Sequence, residues 1–197
     1  MSIRRVTVYA ASSQALDEHY IRAADRLGRS LAKAGLAIVY GGGSQGLMGA
    51  MADGALAEGG EVHGVIPQFL TQVEQGHQGL TSLEVVETMH ERKARMLEGS
   101  DAVITLPGGC GTFEELFEAM TLKRLAQFLG PIILVNTQGY YDGLLSFLRQ
   151  SVNEHFMNKV HLDLWQSVAE PEDVIKALGQ APVWNADHLQ QAAVKRS

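Results

Sequence analysis

The sequence predicts an α/β three-layer sandwich, with a central parallel sheet and helices on both faces. Three observations predict it. Short apolar runs alternate with helix-length segments along almost the whole chain. The runs are continuously apolar rather than alternating, as in strands buried on both faces. Two clusters of glycine each stand directly after a strand-like run and directly before a helix-like one, the position of the ligand-binding edge in such sheets.

The elements follow in order. Val6 to Tyr9 reads as the first buried strand, followed by the polar turn Ser12-Ser13-Gln14. Glu18 to Ala34 is helical and Gly35 stops it as a C-terminal cap. Leu36 to Tyr40 is a strand, Leu47 to Glu58 a helix closed by Gly59-Gly60, and Val62 to Ile66 a strand ended by Pro67. Gln68 to Ser82 carries little period and reads as loop, with Leu83 to Val86 extended. Met89 to Glu98 is helix, Ala102 to Leu106 strand, Thr112 to Leu129 a long helix, Ile132 to Val135 strand and Asp142 to Asn153 helix. A last unit pairs Ser167-Val168 with a helix over Pro171 to Leu178, proline standing near the first helical position. One domain over 1–180 and a tail over 181–197 are expected, with no internal repeat or linker.

Composition narrows the class of function. The 197 residues are 46% apolar and 19% charged, which excludes global disorder. Sixteen basic against 22 acidic residues give a formal charge of −6 with no basic tract, so no nucleic-acid partner is expected. No apolar run approaches a membrane span, and no membrane partner is expected. The start, Met1-Ser2-Ile3-Arg4-Arg5, lacks a small-residue cleavage site, and Cys110 is the only cysteine. A cytoplasmic protein is the expectation. The seven histidines show no HExxH or other ligand spacing, so no metal is expected. No cofactor is expected either.

The 21 glycines are concentrated. Gly41, Gly42, Gly43, Gly46 and Gly49 fall within nine positions, and Gly108, Gly109 and Gly111 form the second cluster. At the first, glycines allow a sharp turn and free N–H groups at the helix start to face an anion. The spacing also fits the dinucleotide fingerprint. That fingerprint belongs after a first strand, however, and Glu61, at the right distance for a ribose, begins its strand instead of ending it. A tight turn with close helix packing is the plainer alternative. At the second cluster, Gly108, Gly109 and Gly111 can leave convergent N–H groups as an anion nest, with the hydroxyl of Thr112 beside them.

Glu115 stands under two readings. Thr112-x-x-Glu115 has the spacing of a capping box, the structural role that spacing alone favours. A carboxylate beside an anion-cradling turn would otherwise need sugar hydroxyls or a cation as partner. Arg92, Lys93 and Arg95 supply basic groups on one short helix; the plain reading there is a solvated face pairing with Glu91 and Glu98, with Met89 and Met96 in the core.

Pro107-Gly-Gly-Cys-Gly-Thr-Phe-Glu-Glu115, preceded by Met89-His-Glu-Arg-Lys93, resembles the paired signature of the LOG family of cytokinin riboside 5′-monophosphate phosphoribohydrolases. Tyr40 to Gly49, Gly64-Val-Ile-Pro67 and Asn136-Thr-Gln-Gly-Tyr-Tyr141 match as well, and the likeness spans about Val8 to Leu178. The resemblance implies a Rossmann-like fold, a homodimer and hydrolysis of the N-glycosidic bond of a purine nucleoside 5′-monophosphate to free base and ribose 5-phosphate. It implies Arg92 and Glu115 as the catalytic pair. Substrate contacts are implied at Ser13, Gly42, Gly43, Glu74, Arg92, Lys93, Gly108, Gly109, Cys110, Gly111, Thr112, Glu115 and Thr121. A carrier of a nucleotide or cofactor on the same loops is the alternative function; it needs the glycine turns but not the Arg92–Glu115 pair.

Overall fold

In the computed structural model, which describes residues 3–72 and 76–194, the chain runs β1 (Arg5–Tyr9), α1 (Glu18–Lys33), β2 (Ala37–Tyr40), α2 (Gly46–Ala57), β3 (Val62–Pro67), β4 (Ser82–Val86), α3 (Met89–Leu97), β5 (Ala102–Thr105), α4 (Cys110–Arg124), β6 (Ile132–Val135), α5 (Asp142–Asn153), β7 (Gln166–Val168) and α6 (Val174–Gln180). The seven strands form one sheet in the order β4-β3-β2-β1-β5-β6-β7. Every pairing is parallel. The chain winds outward one way from β1 through β2, β3 and β4, then returns to pair β5 with the other side of β1. The switch point therefore lies at the C-terminal ends of β1 and β5.

Both faces are covered. Ala24, Leu27 and Leu31 of α1, Leu47 and Met51 of α2, and Val174 of α6 pack with Val6, Val8, Ile38 and Ile104 on one face. Met96 of α3, Leu116, Ala119 and Met120 of α4, and Leu145 and Leu148 of α5 pack with Tyr9, Val39, Val103 and Leu134 on the other. Burying strands such as Ala102–Thr105 completely on both sides is what their unbroken apolar sequence requires.

Several element boundaries differ from the sequence reading, three of them by more than a residue at an end. The segment after β3 opens with a 3-10 turn, Gln68–Gln72, where loop alone is expected. The unit at Pro171 splits into a 3-10 turn, Pro171–Asp173, and the short helix α6. Helix α4 begins two residues before Thr112 and ends at Arg124 instead of Leu129. Its end is fixed by Ala126, which adopts a left-handed φ of 56°, while the N–H groups of Gln127 and Phe128 turn back to the Leu122 carbonyl. Trp184 and Ala192, beyond α6, lie against this helix end. Trp184 is buried over the Lys123 ammonium, 5.9 Å from its ring, and Arg124 donates to the Ala192 carbonyl.

Candidate active site

A cleft of about 310 Å³ opens at the switch point. It is lined by Val8 to Ser13 from the end of β1 and its loop, Gly41 after β2, Met48 of α2, Met89, Arg92 and Met96 of α3, and Gly109, Gly111, Thr112 and Glu115 at the start of α4. Both glycine clusters meet here because each follows a strand that pairs with β1, β2 on one side and β5 on the other.

The two clusters do opposite things. In the first, the amides at the helix start are already engaged. At the start of α2 the N–H groups of Leu47 and Met48 both donate to the Ala11 carbonyl, and Gly49 N–H donates to the Gln45 carbonyl. Gly46 has a φ of +62° and packs against the backbone of Ala11 to Ser13, where a side chain would collide. What the turn presents to the cleft is a carbonyl. Arg92 donates through Nη2 to the Gly41 oxygen at 2.9 Å and through Nε to the Val65 oxygen at 3.1 Å. A Cβ on Gly41 would fall 2.0 Å from Arg92 Nη2, so only glycine leaves room for the guanidinium. Two of five guanidinium N–H groups are held by backbone, and the others have no acceptor among the described residues.

The second cluster has the expected polarity. Gly109 is the N-cap of α4 and no side chain caps the helix, so the N–H groups of Cys110, Gly111 and Thr112 have no acceptor within it. A Cβ at Gly109 or Gly111 would meet nothing within 4 Å, and both glycines are exposed. Open amides at the positive end of a helix dipole form a seat for an anion. The loop behind them is braced. Tyr140 donates to the Gly108 carbonyl at 2.7 Å, and Tyr141 to the Leu106 carbonyl at 2.7 Å. Asn136 in turn accepts from the Tyr141 N–H at 2.6 Å, which gives the Asn136 to Tyr141 motif a mechanical role.

With Gly109 as cap, Thr112 is the third helical residue and Glu115 lies a turn too deep to reach the cap. The capping box expected of Thr112 and Glu115 is therefore not formed. A capping box does stand at α3, where Thr88 accepts from Glu91 N–H and the Glu91 carboxylate reaches back to the Thr88 N–H. That cap sets the first turn of α3, the turn from which Arg92 enters the cleft. Glu91 thus belongs to the cap and not to a solvated ion pair, whereas Arg95 does bind Glu98 and also Glu84.

Glu115 and Arg92 are each only 7% exposed. The Glu115 carboxylate accepts no hydrogen bond from the described residues. Burial pushes its pKa from the ordinary 4.5 up to about 7; the Arg92 charge opposes the rise, Glu114 and Glu118 add to it, and Lys93 opposes it. A buried carboxyl poised near neutrality beside an anchored guanidinium is the arrangement of an acid–base site. Tyr9 forms part of the floor. Burial first, then the carboxylates of Glu115, Glu118 and Glu114, hold its phenol far above the usual range, so it stays a proton donor.

Of the residues expected to contact a ligand, Ser13, Arg92, Gly109, Gly111, Thr112 and Glu115 line the cleft. Cys110 is exposed in the same turn, and Gly108 is buried behind it. Four others stand elsewhere. Gly42 and Gly43 lie on the far side of their turn, Gly42 against Ile66 and Leu83, and Gly43 accepting from Tyr40 and bridged to Gly76. Lys93 points between α3 and α4, where it binds Glu114 and, at 3.2 Å, Glu118. Burial lowers its pKa, but those two carboxylates outweigh it and hold the ammonium charged. Thr121 is exposed three turns along α4. Glu74 lies outside the described residues. Tyr9, Met48 and Met89 line the cleft without having been singled out for it; Met89 in particular is exposed there rather than part of the core.

The family model described as "Possible lysine decarboxylase" matches residues 48–178. A protein of Rhodococcoides fascians named cytokinin riboside 5′-monophosphate phosphoribohydrolase is 44% identical over 155 residues, 78% of each chain. A protein of the same name from Arabidopsis thaliana is 39% identical over 175 residues, 89% of this chain and 81% of that one. Among solved structures, the molybdenum cofactor carrier protein of Chlamydomonas reinhardtii superposes with a TM-score of 0.70 over 91% of this chain and 98% of that one, at 20% identity, a likeness of fold alone. The same span, from the start of α2 to α6, carries the Arg92 helix and the Glu115 helix, and on these matches the chain belongs to the LOG family.

Proposed function

We propose that this chain hydrolyses the N-glycosidic bond of a purine nucleoside 5′-monophosphate, an N6-modified adenine nucleotide or AMP, to the free base and ribose 5-phosphate. The observation that carries the reading is a carboxyl with a pKa near 7 and a backbone-anchored guanidinium in one cleft, beside open amides at the start of α4. The names of relatives at 38–44% identity support the same substrate class.

The 5′-phosphate sits on the N–H groups of Cys110, Gly111 and Thr112 and meets the positive end of α4. The bond between the anomeric carbon and the purine nitrogen breaks with its electron pair leaving on the base. The ribose then carries oxocarbenium character, as in other glycoside hydrolyses. Arg92 hydrogen-bonds the departing purine through its unengaged N–H groups and offsets its negative charge, always protonated and planar. Glu115, ionised, lies against the ribose, stabilises the developing cation and accepts a proton from the water that adds to the anomeric carbon. That water supplies hydroxyl to the sugar, and a proton ends on the base.

The chain acts as a cytoplasmic homodimer in this reading. Leu83 and Val85 on the edge strand β4, and Phe117 on α4, are exposed apolar side chains that suit a protein-covered surface. The test of the activity is product analysis: AMP and isopentenyladenosine monophosphate are incubated with the protein and the mixture is resolved by chromatography. Free base and ribose 5-phosphate are expected. Stoichiometric binding without release of base would instead make the protein a carrier.

A further inference from the structure

The first glycine turn holds Arg92, and something must hold the turn. Residues 76–79 run across its outer side. His77 N–H donates to the Gly42 carbonyl at 3.0 Å, and Gly76 bridges Gly43. The His77 ring is half of a second contact. Its Nδ1 accepts from the Gly79 N–H at 3.0 Å, which leaves the proton on Nε2, and Nε2 donates to Asp53 Oδ1 at 3.0 Å. Asp53 is on α2, the helix that the glycine turn opens. The ring is nearly buried, whereas Asp53 is exposed. A clasp therefore closes on the turn: α2 through Asp53, His77, then the Gly42 carbonyl. One residue before Gly42, on the opposite side of the same turn, the Gly41 carbonyl anchors Arg92 Nη2. Gly42 itself has a φ of +78° and cannot lock its own conformation through a side chain.

We infer that His77 is a positioning residue for Arg92. By pinning the Gly42 peptide against α2, it fixes where the Gly41 carbonyl points and hence where the guanidinium lies in the cleft. The inference rests on the proposed nucleotide hydrolysis only for its kinetic consequence; the mechanical claim concerns Arg92 itself. Misplacement of a catalytic group by a fraction of an ångström lowers turnover more than it lowers affinity for a substrate held by its phosphate.

The test uses His77→Ala, Asp53→Ala and Asp53→Asn in the full chain, each combined with Arg92→Ala. His77→Ala and Asp53→Ala are expected to lower kcat about tenfold or more while KM stays within about twofold. Asp53→Asn, whose side-chain oxygen still accepts from Nε2, should keep parental turnover. In the Arg92→Ala background neither alanine substitution should cost anything further, since coupled residues are not additive. Asp53 is exposed on a helix surface, so its variants fold even if His77→Ala does not. A readout without turnover accompanies these: the Arg92 Nε–H resonance, identified by its loss in Arg92→Ala, should broaden or shift in Asp53→Ala and stay in place in Asp53→Asn. Additive losses with Arg92→Ala, or an unmoved Arg92 resonance in Asp53→Ala, overturn the inference. A parent that releases no base overturns the nucleotide reading alone, and the resonance then decides the clasp.

Discussion

Replacing Glu115 with Gln separates the chemistry from the fold more cleanly than any other change. In the native cleft the Glu115 pKa is raised from 4.5 to about 7, chiefly by burial. Between those two pH values the native chain holds a proton that the unfolded chain has released. Stability therefore falls as pH rises through this window, and the loss is complete above about pH 7. The amide of Gln is a neutral isostere and carries no such penalty. The variant should thus be more stable than the parent by about 1 kcal/mol at pH 5 and about 3 kcal/mol at pH 8, at 1.36 kcal/mol per pKa unit. For a chain of this size that corresponds to a melting temperature higher by roughly 2–4 °C per kcal/mol. The assay is urea unfolding of both proteins from pH 5 to pH 8, with base release measured on the same samples. The variant should release no base while its stability advantage over the parent grows with pH. A stability difference that does not grow with pH, or a variant that keeps full turnover, refutes the reasoning about the buried carboxyl.

Other changes test its neighbours. Gly41→Ala places a methyl on the Arg92 guanidinium; it should lower kcat about 100-fold or more with native circular dichroism, checked by steady-state kinetics. Tyr140→Phe removes the bond that braces the Gly108 carbonyl; nucleotide affinity should weaken about fivefold, the worth of about 1 kcal/mol, as read by calorimetry in the Glu115→Gln background. Lys123, whose pKa burial lowers to about 8, holds fewer protons when folded between pH 8 and 10.5, so parental stability rises with pH there. Lys123→Met should therefore stabilise the chain by about 1–3 kcal/mol at pH 7, a gain that fades toward pH 10.5 in urea melts.

The layered fold was legible because period and apolarity are local properties. Ala102–Thr105 and Ile132–Val135 are unbroken apolar runs, and such runs have one solution, a strand covered on both sides. The meeting of the two glycine turns followed from that topology, and with it the approach of α3 to α4. What the sequence could not carry was direction. A glycine cluster shows that the backbone comes close to something, not whether its N–H or its C=O faces that something. The 41–46 turn directs a carbonyl to Arg92 while the amides of Leu47 and Met48 just after it bond Ala11; the 108–112 turn directs its amides outward. Thr112 and Thr88 both have Glu three residues on, and only the entry angle of the chain decides which of them caps a helix. Lys93 shares a helix turn with Arg92 yet points to Glu114 and Glu118, a choice made by α4 and invisible from α3 alone. Tyr140 and Tyr141 act at long range on backbone carbonyls, which leaves no spacing to read. Trp184, in a stretch without period, is buried only because α4 ends early enough to receive it.

The crystal structure of the Glu115→Gln variant soaked with a purine nucleoside 5′-monophosphate tests the account most directly. The account predicts the phosphate on the N–H groups of Cys110, Gly111 and Thr112, with the bond to the base lying between the Arg92 guanidinium and the residue at 115. A phosphate seated on the 41–46 turn, or a base directed away from Arg92, would contradict it.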